Sequence, residues 1–166
     1  MEKTDARKAI RMTQAEASNW LEKGENCSLA TIDGDGYPHI VAMAYAVDKG
    51  DIVMTSFAKA QKIVNLRRNP RAAIMVESGK AYHSLKGVMV RGRAEIIENT
   101  DSVLNVLSLV GRRMAQATSS RASRTEDVND QITQQARQLA AKRVVIRLRP
   151  EKWASWDHSK LPPGKY

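Results

Sequence analysis

The sequence has 166 residues, which suits one domain of ordinary size that buries its own core. Its single cysteine, Cys27, excludes an intrachain disulfide and a cysteine-based metal site, and it is expected in the core. The formal net charge of +9 predicts an anionic partner: nucleic acid, an acidic membrane or a phosphorylated small molecule.

Several patterns narrow this choice. No apolar run reaches the roughly 20 residues of a membrane span, and the charged N-terminus lacks the apolar segment of a signal peptide. We therefore expect a cytoplasmic protein that does not bind membranes. One Phe and no interleaving of aromatic with basic residues argue against nucleic acid. Three histidines without suitable spacing predict no metal site.

The first half of the chain is predicted to be a helix followed by a β-meander. Thr13 and Glu16 have the spacing of a capping box, Trp20 and Leu21 face the core, and Gly24 ends the helix. Three strands follow, at residues 27–32, 37–47 and 52–56. Two glycine-containing turns separate them, at residues 33–36 and 48–51. Connections this short make neighbouring strands antiparallel.

The second half is predicted to mix helices with further strands. A short helix covers 59–69, with Ile63, Val64 and Leu66 on its apolar stripe, and the Asn-Pro pair ends it. The remaining helices are predicted at residues 101–117 and 126–141, with a polar loop at 118–125. The remaining strands are predicted at residues 71–77, 81–98 and 143–149, with Pro150 ending the last one.

This order of elements predicts a mainly β fold with flanking helices. Sequential strands with short connections favour a curled antiparallel barrel, and Gly87 and Gly92 are candidates for bends or bulges in it. We expect a single domain over residues 1–166, with a helical insertion at about 101–141 and a C-terminal tail at 150–166. The sequence contains no G-x-G-x-x-G motif and no P-loop.

The boundary between the third strand and the short helix is the best candidate for a binding site. Hydroxyls, an amide and two amino groups are brought there by Thr55, Ser56, Lys59, Gln61 and Lys62. The N-terminus of a helix has partial positive charge and open N–H donors, which suit a phosphate. A solvated helix start is the alternative interpretation.

The stretch from Thr55 to Pro70 resembles the FMN-binding split-barrel family. That family includes pyridoxamine 5′-phosphate oxidase and the flavin- or deazaflavin-dependent oxidoreductases. In it, a lysine at a fixed distance before an Asn-Pro pair binds the cofactor phosphate, and Lys62 stands eight positions before Pro70. Residues 29–39 are similar to the family's first hairpin, residues 87–95 to its long strand and residues 153–161 to the tail of one branch.

The resemblance implies a split β-barrel that forms a homodimer with two cofactors at its interface. The cofactor is FMN, with the deazaflavin coenzyme F-420 as the alternative. His39, Val41 and Met43 would line the isoalloxazine, and Trp156 would contact it from the other subunit. The full set of cofactor-binding residues expected from the helix start and the resemblance is His39, Val41, Met43, Thr55, Ser56, Lys59, Gln61, Lys62, Lys86 and Trp156.

The activity implied is hydride transfer between the flavin and an unidentified small molecule. Two departures argue against a true pyridoxamine 5′-phosphate oxidase: the tail lacks the motif that grips the substrate phosphate, and His39 replaces an arginine. His158 is a candidate proton donor, or else a plain tail residue. The alternative function is a non-catalytic flavin or heme carrier on the same fold.

The choice between FMN and a deazaflavin stays open at this point. The longer anionic tail of the deazaflavin favours a wider basic groove, for which the candidates are Lys59, Arg67, Arg68, Arg112 and Arg113. The tail and the helix at 101–117 are expected to cover the open face of the flavin ring.

Overall fold

One seven-stranded antiparallel sheet dominates the computed structural model, which describes residues 6–117 and 130–161. The strands are β1 (Asn26–Ile32), β2 (Pro38–Ala44), β3 (Ala46–Asp48), β4 (Asp51–Phe57), β5 (Arg71–Ser78), β6 (Lys86–Ile97) and β7 (Arg143–Asp157). The helices are α1 (Ala6–Ala9), α2 (Gln14–Lys23), α3 (Gln61–Arg68), α4 (Thr100–Ala117) and α5 (Asp130–Ala140). Two single 3₁₀ turns lie at Tyr82–Ser84 and His158–Lys160.

The sheet curls because its two edge strands are consecutive in the chain. The strand order is β2-β1-β5-β6-β7-β4-β3, so β2 and β3 lie at opposite edges. Only Tyr45 separates them in the sequence, which brings the two edges together. The buried Tyr45 hydroxyl donates to Leu21 O at 2.5 Å and ties this corner to α2. The mainly β split-barrel fold is thus confirmed.

Two apolar clusters hold the elements in place. The first fills the inner face of the curled sheet and is closed by Leu21 of α2 and by Ile63 and Leu66 of α3. The second lies outside the sheet, where α4 packs on β3, β4 and β7 through Val53, Val106 and Val145 among others. Cys27 is in the first cluster, and burial raises the pKa of its thiol to about 12.

Most predicted elements are confirmed, and so are the capping and turn residues that are expected to begin and end them. Thr13 and Glu16 form both hydrogen bonds of a capping box, and Gly24 is the C-cap of α2. The turn at Lys49 and Gly50 has positive φ at both residues, 53° and 87°, as a tight hairpin requires. The predicted loop at 118–125 and the start of the helix predicted at 126–141 lie outside the described residues.

Four predictions about elements are wrong. The strand predicted at 37–47 breaks at Tyr45, and the strand predicted at 81–98 begins only at Lys86, after the first 3₁₀ turn. On α3 the buried polar residue is Asn65, while Val64 is 45% exposed. The last strand also continues beyond Pro150 to Asp157.

The strand passes Pro150 because the ladder is interrupted there. Gly92 pairs with Pro150 whereas Arg91 pairs with Lys152, so Glu151 is an extra, bulged residue. A bulge leaves backbone groups unpaired, and a proline without an N–H is tolerated at such a position. No helix of the described residues has the length and hydropathy of a membrane span.

Candidate functional site

A lysine and a buried hydroxyl meet where β4 ends and α3 begins. Lys62 Nζ donates to Ser56 Oγ at 3.4 Å, and Ser56 is only 4% exposed. Partial burial lowers the pKa of Lys62, because the charged form loses water. No described carboxylate lies within 4.0 Å of the Lys62 ammonium. This half-buried positive charge is therefore available to an anion.

The start of α3 adds open hydrogen-bond donors beside this lysine. The first N–H groups of a helix have no acceptor within the helix. The N-cap residue is Ala60, which makes no side-chain cap. Its carbonyl accepts the N–H groups of Ile63 and Val64, at 2.9 and 3.2 Å, but those of Gln61 and Lys62 precede them. The uncapped helix start, the ammonium and the hydroxyl together suit a phosphate.

A buried hydrogen-bond chain fixes α3 against the first hairpin. Gln61 Nε2 donates to Asn65 Oδ1 at 2.9 Å, and Asn65 Nδ2 donates to Thr31 Oγ1 at 3.1 Å. Thr31 Oγ1 in turn donates to the carbonyl of His39 at 3.4 Å. Asn65 and Thr31 are 0% and 1% exposed. Sequence reasoning missed both residues, although an amide four positions after Gln61 on an otherwise apolar stripe is a usable signal.

His39 lies at the end of this hydrogen-bond chain, and one nitrogen of its ring has no partner in the described part of the protein. Its Nδ1 is buried and has no hydrogen-bond partner among the described residues. A buried polar atom without a partner is costly, so it points to a group that a ligand would supply. Val41 and Met43 follow His39 on the same face of β2, opposite Leu29 and Cys27 of β1, and both are half-buried.

One expected contact of this site, Thr55, lies apart from it in one protomer. Successive strand side chains point to opposite faces, so the Thr55 side chain lies on the opposite face of β4 from Ser56. Thr55 pairs with Val145, on the side of the sheet that α4 covers. Lys59 is exposed in the turn before α3. Ser56 and Lys62 are brought together directly, whereas Gln61 and His39 are joined to each other through the buried hydrogen-bond chain.

Lys86 and Asp157 form the centre of a second group, where β6 begins and β7 ends. Lys86 Nζ lies 2.7 Å from Asp157 Oδ2 and 5.1 Å from the ring centre of Trp20. Ser159 Oγ donates to Asp157 Oδ1 at 2.6 Å. Burial raises the pKa of Asp157, but the hydrogen bonds from Lys86 and Ser159 outweigh it, and the pKa lies below its usual range. Sequence reasoning missed Asp157 as the partner of Lys86.

Trp156 and His158 flank this ion pair. Trp156 packs on Gly87, where a Cβ atom would come within 2.3 Å of Trp156 Cζ2. The ring of His158 meets that of Tyr82 edge-on, with centroids 4.6 Å apart. His158 Nδ1 is buried without a hydrogen-bond partner among the described residues. Trp156 and His158 therefore have fixed positions rather than those of a loose tail.

The two groups lie far apart within one chain. Ser56 pairs with Val144, whereas Gly87 pairs with Trp156, twelve residues further along β7. At about 3.3 Å per residue this is roughly 40 Å of strand contour. The two groups therefore lie at opposite ends of β7 in one protomer.

The expected basic groove does not form as a unit. Arg113 points into the protein, donates to Tyr45 O at 2.9 Å and to Leu21 O at 2.6 Å, and also bonds Gly24 O. Arg67 is paired with Glu98 at 2.5 Å, and Arg68 donates to Ile32 O at 2.8 Å. The described residues contain no cluster of three or more histidine, cysteine or acidic side chains able to hold a metal.

The sequence matches a known family. The family model described as pyridoxamine 5′-phosphate oxidase matches residues 13–157. The chain therefore belongs to the pyridoxamine 5′-phosphate oxidase-like family of split barrels. Among curated proteins, no relative matches the sequence significantly.

Solved structures give the same result. The chain is similar to a conserved hypothetical protein of Mycobacterium tuberculosis, with 36% identity, a TM-score of 0.78 and coverage of 98% of this chain and 97% of that one. An F420 reductase has 27% identity and a TM-score of 0.60, with 82% and 94% covered. A heme storage protein of Vibrio cholerae shares the fold at 19% identity and a TM-score of 0.63, with 86% and 94% covered. Members of this fold family thus include both a reductase and a storage protein.

Proposed function

We propose that the protein is an oxidoreductase that binds FMN or a deazaflavin and exchanges a hydride with a small molecule. The observation that carries the proposal is Lys62: a half-buried ammonium without a described carboxylate partner, beside Ser56 and the uncapped start of α3. These groups supply positive charge and hydrogen-bond donors, which a phosphate needs and which the protein itself leaves unused.

The remaining residues near α3 fit the rest of such a cofactor. Gln61 is held by Asn65 with its amide at the start of the helix, within reach of the chain that links phosphate to ring. His39 offers its unpartnered Nδ1 on the face of β2 that also carries Val41 and Met43. An apolar face with one polar ring atom suits a flavin, which is flat and has polar atoms along one edge.

We further propose that the protein acts as a homodimer, with the cofactor between the subunits. The apolar end of the sheet's outer face, where Met75 is 37% exposed beside Met89 and Ala154, suits such an interface, because exposed apolar side chains in one patch are typical of an interface. The group around Trp156 is remote from Lys62 within one chain, so a two-fold partner is the means by which Trp156 and His158 would reach the cofactor.

The bound flavin would supply the redox chemistry by accepting or donating a hydride at its ring. The protein would hold the phosphate at Lys62, orient the ring on β2 and exclude water with the partner's Trp156. His158 would hold or deliver a proton through its ring, since Tyr82 fixes one side of that ring. The tail contains no arginine after Pro150 to grip a substrate phosphate, so the substrate would not be pyridoxamine 5′-phosphate.

Ligand titration with and without the phosphate tests the proposal. The purified protein is titrated with FMN, with riboflavin and with F-420, and binding is followed by absorbance and flavin fluorescence. We expect FMN to bind more tightly than riboflavin. In Lys62→Ala, FMN should weaken by roughly ten- to a hundredfold, because one charge-assisted contact contributes about 1.5–3 kcal/mol. Riboflavin should be unaffected.

The matched control is Lys80→Ala, which removes an exposed lysine far from α3 along β5. It should leave both ligands unchanged. Equal losses of FMN and riboflavin in Lys62→Ala would contradict a phosphate role, and no binding of any of the three ligands would refute the flavin proposal. Turnover with a reduced nicotinamide or F-420 then separates an enzyme from a carrier, because a carrier binds without steady turnover.

A further inference from the structure

The outer face of the sheet has two halves of different character. Towards the end of β7 it is apolar, with Met75, Met89 and Ala154 in neighbouring positions on β5, β6 and β7. Towards the other end it is basic. The basic half, called the cation patch below, consists of Arg71, Arg91, Arg93 and Lys152, all of which are exposed.

The strand register places like charges directly opposite each other in the cation patch. Arg71 of β5 is the cross-strand partner of Arg93 of β6. Arg91 of β6 is the partner of Lys152 of β7. Directly opposed like charges destabilise a sheet, and their Cβ atoms are only about 5 Å apart. The sheet therefore carries an electrostatic cost that a bound anion would reduce.

The described part of the chain does not supply that counter-charge. None of the four cations has a carboxylate within 4.0 Å among the described residues. The next cation in the row, Arg149, is different, because Glu95 pairs with it at 2.6 Å. Glu151, the bulged residue, lies beside the patch and offsets only part of its charge.

The patch also borders an open cleft in the surface. A cleft of about 520 Å³ is lined by Arg71, Arg91 and Lys152, with small residues, Ala30, Ala73 and Gly92, among its other walls. Adjacent strands are about 4.8 Å apart and alternate residues about 6.7 Å, so the strand positions of the four charges fall within roughly 12 Å of one another. This spacing fits one small ligand with several anionic groups.

We propose that the cation patch binds a small molecule that carries two or more phosphate or carboxylate groups. Arginine forks donate paired hydrogen bonds to such groups, and lysine adds a point charge. The ligand relieves the repulsion between Arg71 and Arg93 and between Arg91 and Lys152. The site is separate from Lys62, which lies at the start of α3, and it does not depend on the flavin proposal.

Calorimetric titration of the full chain tests this site, with inorganic tripolyphosphate and citrate as probes at constant ionic strength. The parent protein is Lys62→Ala, so that the α3 site does not contribute. We expect saturable binding of at least one probe, weakened about tenfold or more by Arg91→Ala and by Arg93→Ala. Binding of both probes indicates a general polyanion site, and binding of one identifies its anionic group.

Arg112→Ala is the matched control, because it removes an exposed arginine of α4 outside the patch. It should leave binding within about twofold of the parent. Tripolyphosphate should also raise the melting temperature of the parent more than that of Arg93→Ala. Absence of saturable binding, or an equal loss in Arg112→Ala, overturns the proposal. Tighter binding of a 12-nucleotide single-stranded DNA through the same residues overturns it in favour of a polymeric ligand.

Discussion

The lysines that lie near the two ends of β7 differ in whether they have a carboxylate partner. At the end where β7 begins, beside β4 and α3, Lys62 is half-buried, and among the described residues its side chain bonds only the Ser56 hydroxyl. At the other end Lys86 is paired with Asp157 at 2.7 Å, and Lys160 with Glu16 at 2.6 Å. The paired charges join segments that are distant in the sequence, whereas the Lys62 charge has no carboxylate partner among the described residues and suits a ligand.

The bulge at Glu151 separates these two ends. Before it, β7 runs between β4 and β6 and its outer face is covered by α4. After it, β7 pairs with β6 and carries Trp156 on Gly87. The bulge therefore decides where the Trp156 end lies relative to the Lys62 end.

The largest expected effect comes from a side chain at this bulge. A Cβ atom on Gly92 would lie 1.8 Å from the carbonyl oxygen of Arg149. Backbone of a paired strand cannot move aside as a side chain does, so Gly92→Val should lower the free energy of unfolding by about 3 kcal/mol or more. Urea denaturation followed by circular dichroism measures this loss.

Gly111→Ala is the contrasting control for Gly92→Val. Gly111 lies inside α4, and a Cβ atom there would have no atom within 4 Å. Because alanine favours a helix by about 1 kcal/mol over glycine, Gly111→Ala should be neutral or stabilising. If Gly92→Val is as stable as the wild type, the bulge is not the rigid junction that the comparison of the two ends assumes.

The sequence predicts the Lys62 end better than the Trp156 end. Lys62, Ser56 and the helix start are close in the sequence, so local patterns and the family resemblance identify them together. The ion pair between Lys86 and Asp157 joins residues 71 positions apart, and only the β6–β7 register brings them together. The sequence places Asp157 in the predicted tail, because it predicts that Pro150 ends the last strand.

The cation patch is also only partly predictable from the sequence. Alternation along β6 predicts Arg91 and Arg93 on one face, but not that Arg71 and Lys152 stand opposite them. Registers between strands distant in sequence depend on the closure of the whole sheet. The buried Asn65 was missed for a related reason, because an apolar stripe does not reveal which polar residue finds its partners on another element.

Substituting each of the two lysines, Lys86 and Lys62, tests directly whether only the paired one stabilises the fold. Lys86→Ala leaves the buried carboxylate of Asp157 without its charged partner, and should lower the free energy of unfolding by about 1–2 kcal/mol, since Lys86 itself is a third exposed. Lys62→Ala removes a desolvated charge and one weak contact, so the ligand-free protein should change by less than about 0.5 kcal/mol.

Chemical denaturation of both variants without ligand measures the contrast. The comparison is broken if Lys62→Ala destabilises as much as Lys86→Ala, because Lys62 would then have a structural partner. If the FMN phosphate binds at Lys62, added FMN should raise the free energy of unfolding of Lys86→Ala more than that of Lys62→Ala.

The smallest expected effect is a difference in pH dependence between the two ends. Despite burial, hydrogen bonds from Lys86 and Ser159 hold the pKa of Asp157 below its usual range, so its stabilising contribution is complete above about pH 5 and is lost as the pH falls through the folded-state pKa. The pKa of Lys62 is lowered by burial, so stability should rise with pH as that lysine loses its proton before the unfolded chain does.

Urea denaturation of the wild type against Asp157→Asn at pH 2–6, and against Lys62→Met at pH 8–11, isolates the two groups. The gap between the wild type and Asp157→Asn should be constant above about pH 5 and shrink in acid. The wild type should gain on Lys62→Met as the pH rises through the alkaline range. A gap to Asp157→Asn that persists at pH 2 would show that Asp157 acts through packing and neutral hydrogen bonds. Lys86 would then resemble Lys62 as a charge without a structural role.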